Sequence, residues 1–252
     1  MPRIKMITAH AARMILPLVA IAFMVGCQSQ PRPSSGMASL RVSVSAEPKA
    51  GRKDLSFHVA VYDSATASPR PQGDYELVDY SNLDDIVIWL EPANPAALVA
   101  PPAPTTITVD APGHAAGVDK AVSVGQNVVV TNRASHPQNV YSVADGNEFD
   151  LGSVGAGGQG QCAAKNQGLI ELLTTGAADP LARIYAAPSP WVAMAHAGDS
   201  VDFNNLPPGS YRIVSWHPRL PGTEQRITLS ADQIAGASIK VGVNELPKVS
   251  GK

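Results

Sequence analysis

The 252-residue sequence predicts an all-β fold. Short apolar–polar alternations with period two recur along the chain, as half-buried strands require. Turn formers separate them: there are 22 prolines and 21 glycines against only 5% aromatic residues. No segment keeps a helical period long enough to predict a helix. These observations together are the texture of a β-sandwich protein.

Residues 1–26 read as an address rather than as structure. Arg3, Lys5 and Arg13 form a basic start, and Met14 to Gly26 is an apolar run interrupted by Pro17 and too short to span a bilayer comfortably. The run ends Phe23-Met24-Val25-Gly26-Cys27, which resembles the bacterial lipobox. An ordinary signal peptide, or a poor membrane anchor with an incidental cysteine, is the alternative. Lipid attached to Cys27 implies a mature chain hung from a membrane by acyl chains. Residues 27–39 are polar and proline-rich, as a tether should be. Gln28, rather than Asp, in the second mature position implies the outer membrane of a Gram-negative cell, facing the periplasm or the cell surface.

Removal of the signal takes away three positive charges and no negative one, moving the net charge from -2 to -5. Lys and Arg are scattered singly, so no nucleic-acid partner is predicted. Cys162 is then the sole remaining cysteine and cannot form an internal disulfide, which leaves the fold to stand on its core.

Taken in order, Leu40 to Ser45 alternates as a strand, and Leu55 to Tyr62 does the same with Leu55, Phe57, Val59 and Val61 on one face and His58 on the other. Residues 64–74 read as a loop. Asp84 to Glu91 has a continuous apolar centre stopped by Pro92, the pattern of a central strand. Residues 92–104 hold five prolines and read as an extended linker. Thr105 to Val109 and Ala121 to Val130 read as strands, with Gly113 and Gly125 at turns. Val140 to Val143 and Asn147 to Gly152 are further short strands. Gly152 to Gly168 is so glycine-rich that a surface loop carrying Cys162 is expected. Leu169 to Leu173 and Ala182 to Ala186 flank a turn at Thr174 to Pro180. Val201 to Phe203 and Tyr211 to Trp216 surround Leu206-Pro207-Pro208-Gly209 and predict a hairpin. Glu224 to Leu229 and Ser238 to Val243 complete the strands.

Two stretches resemble known families. Gly125 to Ser142 resembles the strand and turn of cupredoxins (the plastocyanin-like fold), in which N-x-x-x-x-P-H-N-V carries the first copper histidine. Ile86 to Pro92, with Asn205 to Pro218, resembles bacterial periplasmic plastocyanin-like proteins often labelled methylamine utilization proteins. In those, a carboxypeptidase-regulatory-like (transthyretin-like) sandwich accompanies the cupredoxin strands. The likeness covers most of Ile86 to Val243. It implies a cupredoxin-like β-sandwich combined with a transthyretin-like sandwich that is discontinuous in sequence. The expected division is 40–103 for the first part of the transthyretin-like sandwich and its linker, 104–187 for the cupredoxin-like domain, 188–247 for the remaining transthyretin-like strands, and 248–252 for a tail.

Blue copper takes one thiolate, two imidazoles and a weak axial thioether. The resemblance implies that the first histidine position falls on Gln138, the cysteine on Thr174, the second histidine on Ala177 and the axial methionine on Pro180. None keeps a ligand, so no metal or other cofactor is expected. His136, Cys162 and His217 are the substitutes that a displaced copper site would use; otherwise His136 is a surface turn residue, Cys162 an exposed or half-buried thiol, and His217 a ring packed beside Trp216.

Catalytic patterns are weak. Asp84 and Asp85 would point to opposite faces of a strand, and Glu148 with Asp150 reads as a solvated face. Gly155 to Gly160 is not followed by a predicted helix that could present a phosphate site. No Gly-x-Ser-x-Gly, His-Glu-x-x-His or Cys-x-x-Cys occurs. The expectation is therefore not an enzyme but a metal-free binding or scaffold module at the membrane surface, engaging another envelope protein or a polysaccharide. Its contact loops would be 135–139, 155–167 and 174–180. A periplasmic electron-transfer copper protein is the alternative, and a tethered enzyme a third.

Overall fold

A computed structural model describes residues 32–47, 80–94, 102–110 and 117–242. The expectations for the signal and Cys27, for Leu55 to Tyr62 with His58, for the loop at 64–74 and for Gly113 lie outside the described residues.

The described chain is all-β. Fifteen strands are arranged in four sheets. The first sheet joins β1 (Ala38–Ala46), β12 (Ser200–Leu206) and β15 (Ile234–Val241), with β1 in the middle. The second has the order β11 (Val192–Ala195), β2 (Ile86–Pro92), β13 (Gly209–Trp216), β14 (Glu224–Leu229). The third runs β4 (Lys120–Ser123), β10 (Ala182–Ala187), β9 (Gly168–Thr174), β6 (Gln138–Ser142), β7 (Phe149–Val154). The fourth is β3 (Thr105–Val109), β5 (Asn127–Asn132), β8 (Gln159–Ala163).

Alternating side chains explain how these sheets stack. Leu40, Val42 and Val44 of the first sheet meet Ile86, Ile88, Leu90 and Ile213 of the second in one core. Val128 and Val130 of the fourth sheet meet Ile170, Leu172 and Ile184 of the third in another. These are two β-sandwiches, and the first is discontinuous: its strands come from residues 38–92 and 192–241, with the second sandwich inserted between.

The opposite faces of the two inner sheets form a third apolar layer. Val87 and Trp89 of β2, with Val214 and Trp216 of β13, face Tyr185 and Ala187 of β10. Hence Ile86 to Leu90 is buried at every position, and the run needs no polar alternation because both of its faces are covered. Tyr185 stacks on Trp216 with ring centroids 4.1 Å apart and tilts against Trp89 at 5.8 Å.

Two expectations are corrected. The stretch from Gly152 to Gly168 is not one loop. β8 forms within it and pairs antiparallel with β5, from Asn127 opposite Ala163 to Thr131 opposite Gln159. Glycine composition misleads because Gly160 makes room in a strand: a Cβ there would lie 2.8 Å from Leu151 Cδ1. Nor do Val201 to Phe203 and Tyr211 to Trp216 form a hairpin. β12 pairs with β1, while β13 pairs with β2 and β14. Asn205 turns left-handed at φ 55°, and Pro207 and Pro208 offer no N–H to continue a ladder. The chain therefore turns a corner from one sheet to the next, and the Tyr211 hydroxyl donates to the Pro207 carbonyl at 2.6 Å.

Candidate functional site

Asn132 builds the end of the inserted sandwich. It closes β5 with no exposed surface. Its amide nitrogen donates to the carbonyls of His136 (2.9 Å), Val154 (2.9 Å) and Gly155 (3.2 Å). Its amide oxygen accepts from Ala134 N at 2.9 Å. One side chain thus ties the turn at 133–137 to the turn at 155–158. The backbone adds a bond in each direction, Asn132 N to Gly158 O and Gly157 N to Asn132 O. The sequence reading passed over this residue. The signal was available, since Asn132 is the asparagine that opens the N-x-x-x-x-P pattern.

The turn delivers Gln138 to the start of β6, where its side chain is buried. Thr174, the last residue of β9, is buried beside it. The Thr174 hydroxyl donates to Gln138 Oε1 at 3.0 Å, and Gln138 Nε2 lies 3.5 Å from Nε2 of exposed His136. The two positions where the resemblance puts a copper imidazole and a copper thiolate are therefore in contact, and they satisfy each other. Pro180 is buried and Ala177 half-buried on the following turn. An amide oxygen, a hydroxyl, a methyl group and a proline ring are not a donor set for copper, which takes thiolate and imidazole. The residues do not fit that ion.

The substitute residues are not brought together. Cys162 sits on β8 in an outer sheet rather than in a loop; its half-buried thiol lies 3.8 Å from the Val128 carbonyl. Burial pushes that thiol up to about 11, so it is not a thiolate at neutral pH. His217 follows β13 in the other sandwich, across the third apolar layer. Among the described residues, no group of three or more His, Cys, Asp or Glu is placed to hold a metal ion.

The carboxylates lie elsewhere than expected. Asp84 and Asp85 precede β2 instead of alternating within it, because Asp85 is left-handed at φ 59°. Asp84 Oδ1 meets His196 Nδ1 at 2.5 Å, and Asp85 Oδ1 accepts from Val118 N at 2.8 Å. Glu148 and Asp150 are exposed, with Asp150 Oδ1 accepting from Gly152 N.

No family model and no curated protein matches the chain. Solved structures do match. A purple cupredoxin from Nitrosopumilus maritimus is 17% identical over 32% of this chain and 98% of its own, with a TM-score of 0.26. A methionine-to-alanine mutant of amicyanin in the Cu(I) form is 24% identical over 41% of this chain and all of its own, again at 0.26. A second such Cu(I) amicyanin mutant is 21% identical over 39% of this chain and 99% of its own, at the same score.

Proposed function

We propose that this chain is a cell-envelope lipoprotein whose inserted sandwich is a cupredoxin-like module without metal, serving binding or scaffolding rather than catalysis. The outer strands are its transthyretin-like frame, and Cys27 is its lipid attachment point. The observation that carries the reading is the buried Thr174–Gln138 hydrogen bond. It joins the two positions that the cupredoxin resemblance assigns to ligands, so they complete a polar contact and leave no donors for copper.

Copper titration of the purified protein tests the reading. We expect no tight stoichiometric Cu(II) complex and no strong visible band. An intense band at one equivalent that disappears in Cys162→Ala would establish the electron-transfer alternative instead. The anchor is tested separately: radiolabelled palmitate should enter the wild-type chain in cells and should not enter Cys27→Ala.

A further inference from the structure

The two sandwiches meet at a groove that the copper question leaves untouched. Two adjoining cavities of about 500 and 560 Å³ share Asp84, Asp85, Gly117 and Val118 as walls. His217 lies at one end and His196 at the other.

Asp85 is held by geometry. Its carboxylate comes from the frame, caps the Val118 N–H of the inserted sandwich at 2.8 Å, and lies so close to Gly117 that a Cβ there would be 2.5 Å from Oδ2. His217 is more than nine-tenths buried, with 6% exposure. Its Nδ1 accepts from Arg219 N at 3.1 Å. That bond fixes the neutral tautomer with the proton on Nε2. Nε2–H has no partner among the described residues, and the ring lines the groove.

This chemistry narrows the ligand class. A metal ion needs a lone pair on the imidazole, and His217 presents an N–H instead. A cation finds Asp84 already paired with His196 and Asp85 already capped. An anion meets Asp84, Asp85 and Glu171 with the repelling sign, and neither guanidinium in the same wall, Arg183 (paired with Glu171) or Arg219, is free to receive it. A hydroxyl both donates and accepts, so neighbouring hydroxyls suit a fixed carboxylate beside a fixed N–H. Val118 and Leu169 add apolar wall for the C–H face of a sugar ring.

We propose that the junction groove binds an uncharged glycan segment, with Asp85 accepting from and the His217 Nε2–H donating to adjacent hydroxyls. The proposal rests on the reading of the chain as a binding module, and moves its contact site from the sandwich-end loops to the junction.

The test uses the full isotope-labelled protein in detergent, titrated with maltohexaose, cellohexaose and chitohexaose. At least one should shift the amides of Gly117, Val118 and His217. His217→Phe, which keeps the ring volume and loses the donor, should weaken that binding by about tenfold or more. Asn139→Ala at the sandwich end should leave it unchanged. Shifts centred on residues 135–139 would overturn the groove and leave the binding-module reading standing. Silence with all three sugars, or affinity unchanged in His217→Phe, would also overturn it. A copper complex in the earlier titration would instead remove the metal-free reading, so the two failures are distinguishable.

Discussion

Asn132 and the Gln138–Thr174 pair show how single side chains set the end of the inserted sandwich. Replacing Asn132 by Ala strands the buried Val154 carbonyl and the Ala134 N–H together. An unsatisfied buried group costs about 1–3 kcal/mol, so Asn132→Ala should lose about 2–4 kcal/mol in urea unfolding. Thr174→Val leaves the buried Gln138 oxygen without its donor and should cost about 1–3 kcal/mol, whereas Thr174→Val with Gln138→Leu should be closer to neutral. A double-mutant cycle reads that difference. The two groove histidines should titrate in opposite directions. Burial lowers His217, while the hydrogen bond to Asp84 raises His196. For His217 the unfolded chain binds the proton more readily, so its stabilising share is full above its ordinary value, near 6.5, and is lost as pH falls toward the lower folded value. The His196 share has the other sign: it is full below 6.5 and lost as pH rises through the folded value, and it is small because the pair is two-thirds exposed. Ring-proton NMR should place His217 below and His196 above the ordinary range. The loss of stability between pH 7 and 5.5 should be smaller in His217→Gln.

Among the strands, β2 is the one whose burial explains its sequence. Ile88 has no exposed surface and belongs to the core of the first sandwich. Ile88→Ala should cost about 2–5 kcal/mol, measured by the shift of the denaturation midpoint. The alternation of Leu40 to Ser45 and the solid apolar run of Ile86 to Leu90 were legible because each reports how many faces a strand buries. Sheet membership was not. Val201 to Phe203 and Tyr211 to Trp216 look like hairpin arms until the left-handed Asn205 and the two prolines send them to different sheets. β8 was hidden because glycine reads as turn, while Gly160 serves as space beneath Leu151. At the site, the cupredoxin resemblance pointed to Gln138 and Thr174. Their hydrogen bond, and the meeting of Asp85, His196 and His217 from three separate segments, arise only through tertiary packing.

On the largest scale, four sheets of the described residues enclose three apolar layers, and the middle layer decides whether the sandwiches act as one body. Its centre is the stacked pair of Tyr185 and Trp216. Removing a large aromatic from such a contact costs about 3–5 kcal/mol, enough to uncouple units that are each only marginally stable. Tyr185→Ala should therefore convert a single calorimetric transition into two, with the four-layer stack parting between its inner sheets.

The pairing of β1 with β15 bears on when this protein can fold during its synthesis. Residues 39–46 lie parallel to residues 234–241, so β1 has no partner on that side until β15 has been made. Contacts between such distant residues close slowly. The inserted sandwich needs only the middle of the chain and can collapse first. Among the described strands, β1 is thus locked late, when β15 emerges to pair with it.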